Sequence, residues 1–103
     1  MKLIWTHEAL TSLMDIEDYI AADNPERART FVDDIIAKAE TLLPANPRLG
    51  RVVPEAGRPE IREILHQRYR IVYKISGNSL LVLVVFAAQR ELRHADLEAG
   101  EHA

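Results

Sequence analysis

The sequence of 103 residues contains no cysteine, which excludes disulfides and thiolate metal ligands and fits a reducing compartment. Long apolar runs are missing as well. The longest, Leu80 to Ala88, spans nine residues, far short of the ~20 that a membrane-spanning helix needs. The opening Met1-Lys2-Leu3-Ile4-Trp5-Thr6 reaches charge and polarity too early for a secretory signal. The expected location is therefore the cytoplasm. Positive charge is also scarce, with 13 Lys/Arg against 16 Asp/Glu and a net charge of −3. Proteins that live on nucleic-acid phosphates carry a much larger positive excess, so direct sequence-specific binding to nucleic acid is not expected.

Other chemistries lack their residues. The four histidines, His7, His66, His94 and His102, include no pair at a ligand spacing, so neither a metal site nor a cofactor is expected. Gly50 and Gly57 build no phosphate loop, and no serine sits in a nucleophile motif. Glu17-Asp18 and Asp33-Asp34 resemble carboxylate pairs. Adjacent positions on a helix point to different faces, however, and these read as solvated surface.

What is present is enough for one thin core. Apolar residues make up 48% of the chain, and a domain of this size buries only about 60–65% of its unfolded surface. A single domain over residues 1–103 is expected, with a flexible tail from about 94 to 103. Lys2 to Trp5 reads as a strand. Thr6 suits an N-cap, and Ala9, Leu13, Ile16 and Ile20 then form one helical stripe, predicting a helix to about Ala22. Asn24-Pro25 starts a second helix to about Leu43, with Ala28, Val32, Ile35, Ala39 and Leu42 on one face. The short link between them demands an antiparallel helical hairpin.

Pro44 to Pro59 holds four of the five prolines and reads as loop. Three strands follow: Ile61 to His66, Tyr69 to Ser76, and Leu80 to Ala87, with Ser76-Gly77-Asn78 as a hairpin turn. At most one further helical turn is expected, around Leu92 to Leu97. The fold class is α+β, in the order β-α-α-β-β-β, with the helical hairpin on one face of a small, mainly antiparallel sheet. In the last strand, alternation would set Leu81, Leu83 and Val85 against Val82, Val84 and Phe86. The hairpin can cover only one of those faces. The run Leu81, Val82, Leu83, Val84, Val85 and Phe86 is therefore expected to meet a partner chain or the C-terminal tail.

Charge is unevenly placed. Residues 1–47 carry four Lys/Arg against nine Asp/Glu, whereas residues 48–74 carry seven against three. The local excess is almost all arginine, which favours one specific anionic contact over general coating of a polyanion. Arg62, Arg68, Arg70 and Arg90 sit on or beside neighbouring strands and are expected to converge near one sheet edge, with Arg58 close by. The competing reading is an ordinary strand face with the arginines paired to Glu60, Glu63 and Glu91.

Several of these residues form a recognisable pattern: Asn24-Pro25-x-x-Ala28, Gly50-Arg51, Arg62-Glu63, Tyr69-Arg70-Ile71-Val72-Tyr73, and a strand ending at Gln89-Arg90. From Leu3 to about Arg93 the chain resembles the ParE/RelE superfamily of bacterial type II toxin–antitoxin toxins. The resemblance implies a cognate antitoxin, with β-strand residues Leu81 to Phe86 as its contact. RelE-like members are implied to be ribosome-dependent mRNA endonucleases that use lysines, arginines and a C-terminal tyrosine. ParE-like members are implied to poison DNA gyrase by binding, with no catalytic residues.

Arg70 and Arg90 match two RelE-type arginines, but the strand carrying the lysines in that branch has Arg62 and Glu63 here. The only tyrosines are Tyr19, Tyr69 and Tyr73, so the C-terminal tyrosine has no counterpart. Arginine neutralises a phosphate but does not act as a base. A histidine that many ParE-like chains carry near Ala87 or Ala88 is absent. The resemblance therefore points to the ParE side, with Arg58, Arg62, Arg68, Arg70 and Arg90 as target contacts. A nuclease acting through Arg70 and Arg90, or a non-toxic binding remnant of the fold, are the alternatives.

Overall fold

The computed structural model describes residues 1–89 and Leu97. The elements are β1 (Lys2–Trp5), α1 (His7–Ala21), α2 (Pro25–Leu42), β2 (Arg51–Val52), β3 (Ile61–His66), β4 (Tyr69–Ser76) and β5 (Ser79–Ala87). They build an α+β fold, a helical hairpin on one face of a five-stranded sheet ordered β1-β5-β4-β3-β2. Only the β1–β5 pair is parallel; the other neighbours are antiparallel.

Both helices start where their caps place them. The Thr6 hydroxyl accepts from the Ala9 N–H at 3.1 Å and donates to the Val82 carbonyl at 2.7 Å, so one buried side chain fixes α1 to β5. Asn24 Oδ1 accepts from the Arg27 N–H at 3.1 Å, with Pro25 at the first position of α2. Ala9, Leu13 and Ile16 of α1 and Ala28, Phe31, Val32, Ile35 and Ala39 of α2 are buried. Most of them pack on Ile64, Ile71, Tyr73, Leu80, Val82 and Val85 of the sheet. Ile20 and Leu42 stay half-buried at the stripe ends, and Leu43, just past the helix, is buried in place of Leu42.

Two features depart from the pattern read in the sequence. The proline-rich segment contains the two-residue strand β2, which pairs Arg51 with Glu63 and Val52 with Arg62. Two residues are too few to show a period, so nothing in the sequence marks them as a strand. In β5 the pairing skips a residue: Val72 faces Val84 while Tyr73 faces Val82, leaving Leu83 as the extra residue of a β-bulge. The bulge resets the alternation. Leu80, Val82 and Val85 face the helices, whereas Leu81, Leu83, Val84 and Phe86 face the other side. Val84, Val85 and Phe86, all beyond the bulge, thus take the opposite faces from those that simple alternation assigns.

The second sheet face is covered by the chain itself. Val53 and Ala56, from the turn after β2, and Leu97 pack on Ile61, Val72, Leu83, Val84 and Phe86. Residues 90–96 and 98–103 lie outside the described residues, and with them most of the helical turn and of the flexible tail that the sequence leads one to expect. Among the described residues no helix is long and apolar enough to cross a membrane.

Candidate functional site

Arg62 and Arg70 stand in the register of β3 and β4. Arg70 lies opposite Leu65, two positions from Glu63 on the same face of β3. Across that diagonal the Arg70 Nε donates to Glu63 Oε1 at 2.6 Å, and both side chains lie under the Val53–Ala56 cover. The other two guanidinium nitrogens grip Glu55 in a fork, Nη1 to Oε2 and Nη2 to Oε1, each at 2.8 Å. The Arg70 guanidinium also sits over the Phe86 ring, 5.0 Å from its centroid. The hydrogen bonds to Glu55 foremost, and Glu63 behind them, raise the Arg70 pKa above its ordinary value against the opposing effect of burial. Arg51 supplies a second cation to Glu63, with Nε 2.6 Å from Oε2.

Arg70 is only 5% exposed, and its charge is spent inside the protein. It holds the β2–β3 turn over the sheet through Glu55 and neutralises the buried Glu63. Of the other arginines predicted at the site, Arg58, Arg62 and Arg68 make no hydrogen bond or ion pair with Arg70 or Glu63 among the described residues. Arg62 projects from the opposite face, where Nε donates to the Pro59 carbonyl and Nη1 to the Gly50 carbonyl, both at 2.9 Å. That separation follows from the two-residue period: Arg62 faces Tyr73, in the helix-side core, whereas Arg70 faces Leu65. Arg58 is exposed and pairs with Glu60 at 2.6 Å. The Glu60 backbone N–H first, and Arg58 second, hold the Glu60 carboxyl below its ordinary pKa. Arg68 lies exposed in the β3–β4 turn, beside Gln67, which has φ 53°. Arg90 and Glu91 lie outside the described residues.

Tyr73 is buried, with its hydroxyl donating to the Pro47 carbonyl at 2.6 Å and accepting from the Gly50 N–H at 3.0 Å. Burial raises its pKa, so the phenol keeps its proton. Lys38 of α2 donates to the Leu65 carbonyl. No group of three or more His, Cys, Asp or Glu that could hold a metal ion occurs among the described residues.

Of the β5 residues expected to meet a partner, Val82, Leu83, Val84, Val85 and Phe86 are buried and Leu81 is half-buried. Large exposed apolar side chains occur elsewhere: Leu10, Met14 and Tyr19 on α1, Leu49 before β2, and Leu65 on β3. The sequence reading missed Glu55, the principal partner of Arg70. No local pattern joins the two, since they meet only once the turn after β2 folds across the sheet.

An antiparallel helical hairpin thus covers one face of a β1-β5-β4-β3-β2 sheet whose Arg51, Arg58, Arg62 and Arg70 are engaged within the chain. Residues 3–93 match the family described as "ParE toxin of type II toxin-antitoxin system, parDE". The chain belongs to this ParE toxin family. Among solved structures it is similar to the chromosomal ParDE toxin–antitoxin system from P. aeruginosa, with a TM-score of 0.72 and 25% sequence identity. That likeness covers 86% of this chain and 97% of the other. A search of curated proteins finds no match.

Proposed function

We propose that this chain, as one domain in the cytoplasm, inhibits growth by binding and poisoning DNA gyrase and is neutralised by a cognate antitoxin. It does so with no catalytic residues of its own. The observation that carries this reading is the occupied state of Arg70. A cation that neutralises a reacting phosphate has to reach it, and Arg70 is committed to Glu63 and Glu55 in the interior. Tyr73 and Lys38 are engaged within the chain as well, Tyr73 with Pro47 and Gly50 and Lys38 with Leu65. The family match supports the toxin and, with it, the antitoxin.

Arg58, Arg62 and Arg68 are left as target contacts, together with Arg90. Arg70 serves the target indirectly by shaping the turn between β2 and β3. Antitoxin contact along β5 starts at the half-buried Leu81 and reaches Leu83, Val84 and Phe86 only if the Val53–Ala56 cover and Leu97 move. Controlled expression in bacteria, with the DNA damage response and messenger RNA integrity followed separately, tests the reading. DNA damage response with intact mRNA at early times is expected. Codon-phased mRNA cleavage without DNA damage would overturn it.

A further inference from the structure

Beyond the end of α2, a groove of about 650 Å³ opens between the turn that carries Pro47 to Leu49 and the end of β4 at Ile75. Its walls are mainly apolar. Leu49 is 52% and Met1 42% exposed, with Pro47 and the half-buried Ile75 alongside. Single exposed apolar residues are ordinary, but several around one groove mark a contact surface.

The turn presenting Leu49 is fixed from behind. The Leu49 N–H donates to the Asn46 carbonyl at 3.0 Å. The Tyr73 hydroxyl joins Pro47 to Gly50, and Arg62 Nη1 donates to the Gly50 carbonyl at 2.9 Å. A loop held in this way has little freedom to lose when a partner docks.

The charge at the groove has one sign. Arg48 is the only charged side chain among its described lining residues, and no carboxylate lies among them. The exposed Arg48 guanidinium has no hydrogen-bond or ion-pair partner among the described residues. Arg62, beneath the same turn, donates to the carbonyls of Pro59, Gly50 and Arg48 and to no carboxylate there. Arg51, Arg58 and Arg70, by contrast, are each paired with a glutamate.

We infer that this groove docks the target protein through a segment that sets an aspartate or glutamate beside a bulky apolar side chain. Arg48 meets the carboxylate, and the apolar side chain packs on Leu49 and Ile75. A basic segment is repelled, because nothing in the groove neutralises it. The inference rests on the gyrase reading above and adds Arg48 and Leu49 to the target contacts. Ile75 belongs to the helix-side core, whereas Leu81, Leu83, Val84 and Phe86 of the antitoxin contact face the other side. Mutation should therefore separate the two contacts.

Binding of purified gyrase and of the cognate antitoxin to the full chain, each measured at low and high salt, tests it. Leu49→Asp and Arg48→Glu alter exposed side chains, and circular dichroism confirms their fold. Each should weaken gyrase binding at least tenfold and leave antitoxin affinity at the wild-type value. Arg48→Lys should stay within a few-fold of wild type, and Arg48→Ala should flatten the salt dependence. Wild-type gyrase affinity in both Leu49→Asp and Arg48→Glu overturns the inference and leaves the gyrase reading intact. No gyrase binding by the wild-type chain overturns both. Antitoxin affinity that falls in the folded variants assigns the groove to the antitoxin, and a wild-type dimer that Leu49→Asp dissolves assigns it to a second copy. Either result overturns the inference.

Discussion

Arg70 and Glu63 meet across the β3–β4 diagonal at 2.6 Å, with side chains only 6% and 0% exposed. A charge pair this dry is kept because each member makes the other tolerable. Of the two cations on the buried Glu63, removing Arg70 leaves Arg51 alone, which costs up to about 3–5 kcal/mol. Arg70→Ala should destabilise the fold by that order in a denaturant titration. Replacing Arg70 and Glu63 together by Leu should recover a large part of the loss. Any fall in toxicity of Arg70→Ala should then follow the fall in folded protein. Full stability of Arg70→Ala would contradict the buried-pair account.

Tyr73 pins the segment before β2. Its hydroxyl joins the Pro47 carbonyl to the Gly50 N–H, so Tyr73→Phe should cost about 1–3 kcal/mol through two groups left unsatisfied. Gly50→Ala should cost more. A Cβ there would lie 2.5 Å from the Glu63 carbonyl oxygen and 2.8 Å from the Tyr73 hydroxyl, and the backbone carbonyl cannot give way. Melting temperatures in the order wild type, Tyr73→Phe, Gly50→Ala would check both.

His66 should make stability fall in mild acid. It lies edge-on to Phe31 with a buried Nε2 that has no partner. Burial first and the Lys38 charge second lower its pKa, against a smaller opposing pull from Asp34. Since the unfolded chain holds this proton more tightly, the stabilisation is full above the unfolded value of about 6.5. It is lost as pH falls through the lowered folded value. Denaturation midpoints at about pH 7.5 and about pH 5 should differ more for the wild type than for His66→Phe. Equal differences would remove His66 as the cause.

Much of this architecture was legible because it is local. Thr6 and Asn24 carry cap chemistry, Ala9-Leu13-Ile16 and Ala28-Val32-Ile35 carry helical spacing, and Gly77 takes the positive φ of the β4–β5 turn. The partial failures are all tertiary. The β5 bulge at Leu83 changes side-chain facing without changing composition. The second sheet face, expected to meet a partner chain or the C-terminal tail, meets Leu97 of the tail together with Val53 and Ala56, which the sequence marks only as loop. Arg62 and Arg70 part for the same reason: register sends them to opposite faces, and Glu55 reaches Arg70 from 15 positions away in sequence. The expected pairing with Glu60 and Glu63 did form, through Arg58, Arg51 and Arg70.

The central claim is that the chain acts on gyrase by binding, and a cleavage assay with purified components addresses it most directly. Gyrase, supercoiled plasmid and ATP are incubated with the chain, and the DNA is then released by detergent and protease. The account predicts that linear DNA accumulates with increasing toxin, that pre-mixing with the cognate antitoxin abolishes this, and that omitting gyrase leaves the plasmid intact. An unchanged plasmid at saturating, correctly folded toxin, alongside cleavage of ribosome-bound mRNA by the same preparation, would contradict it.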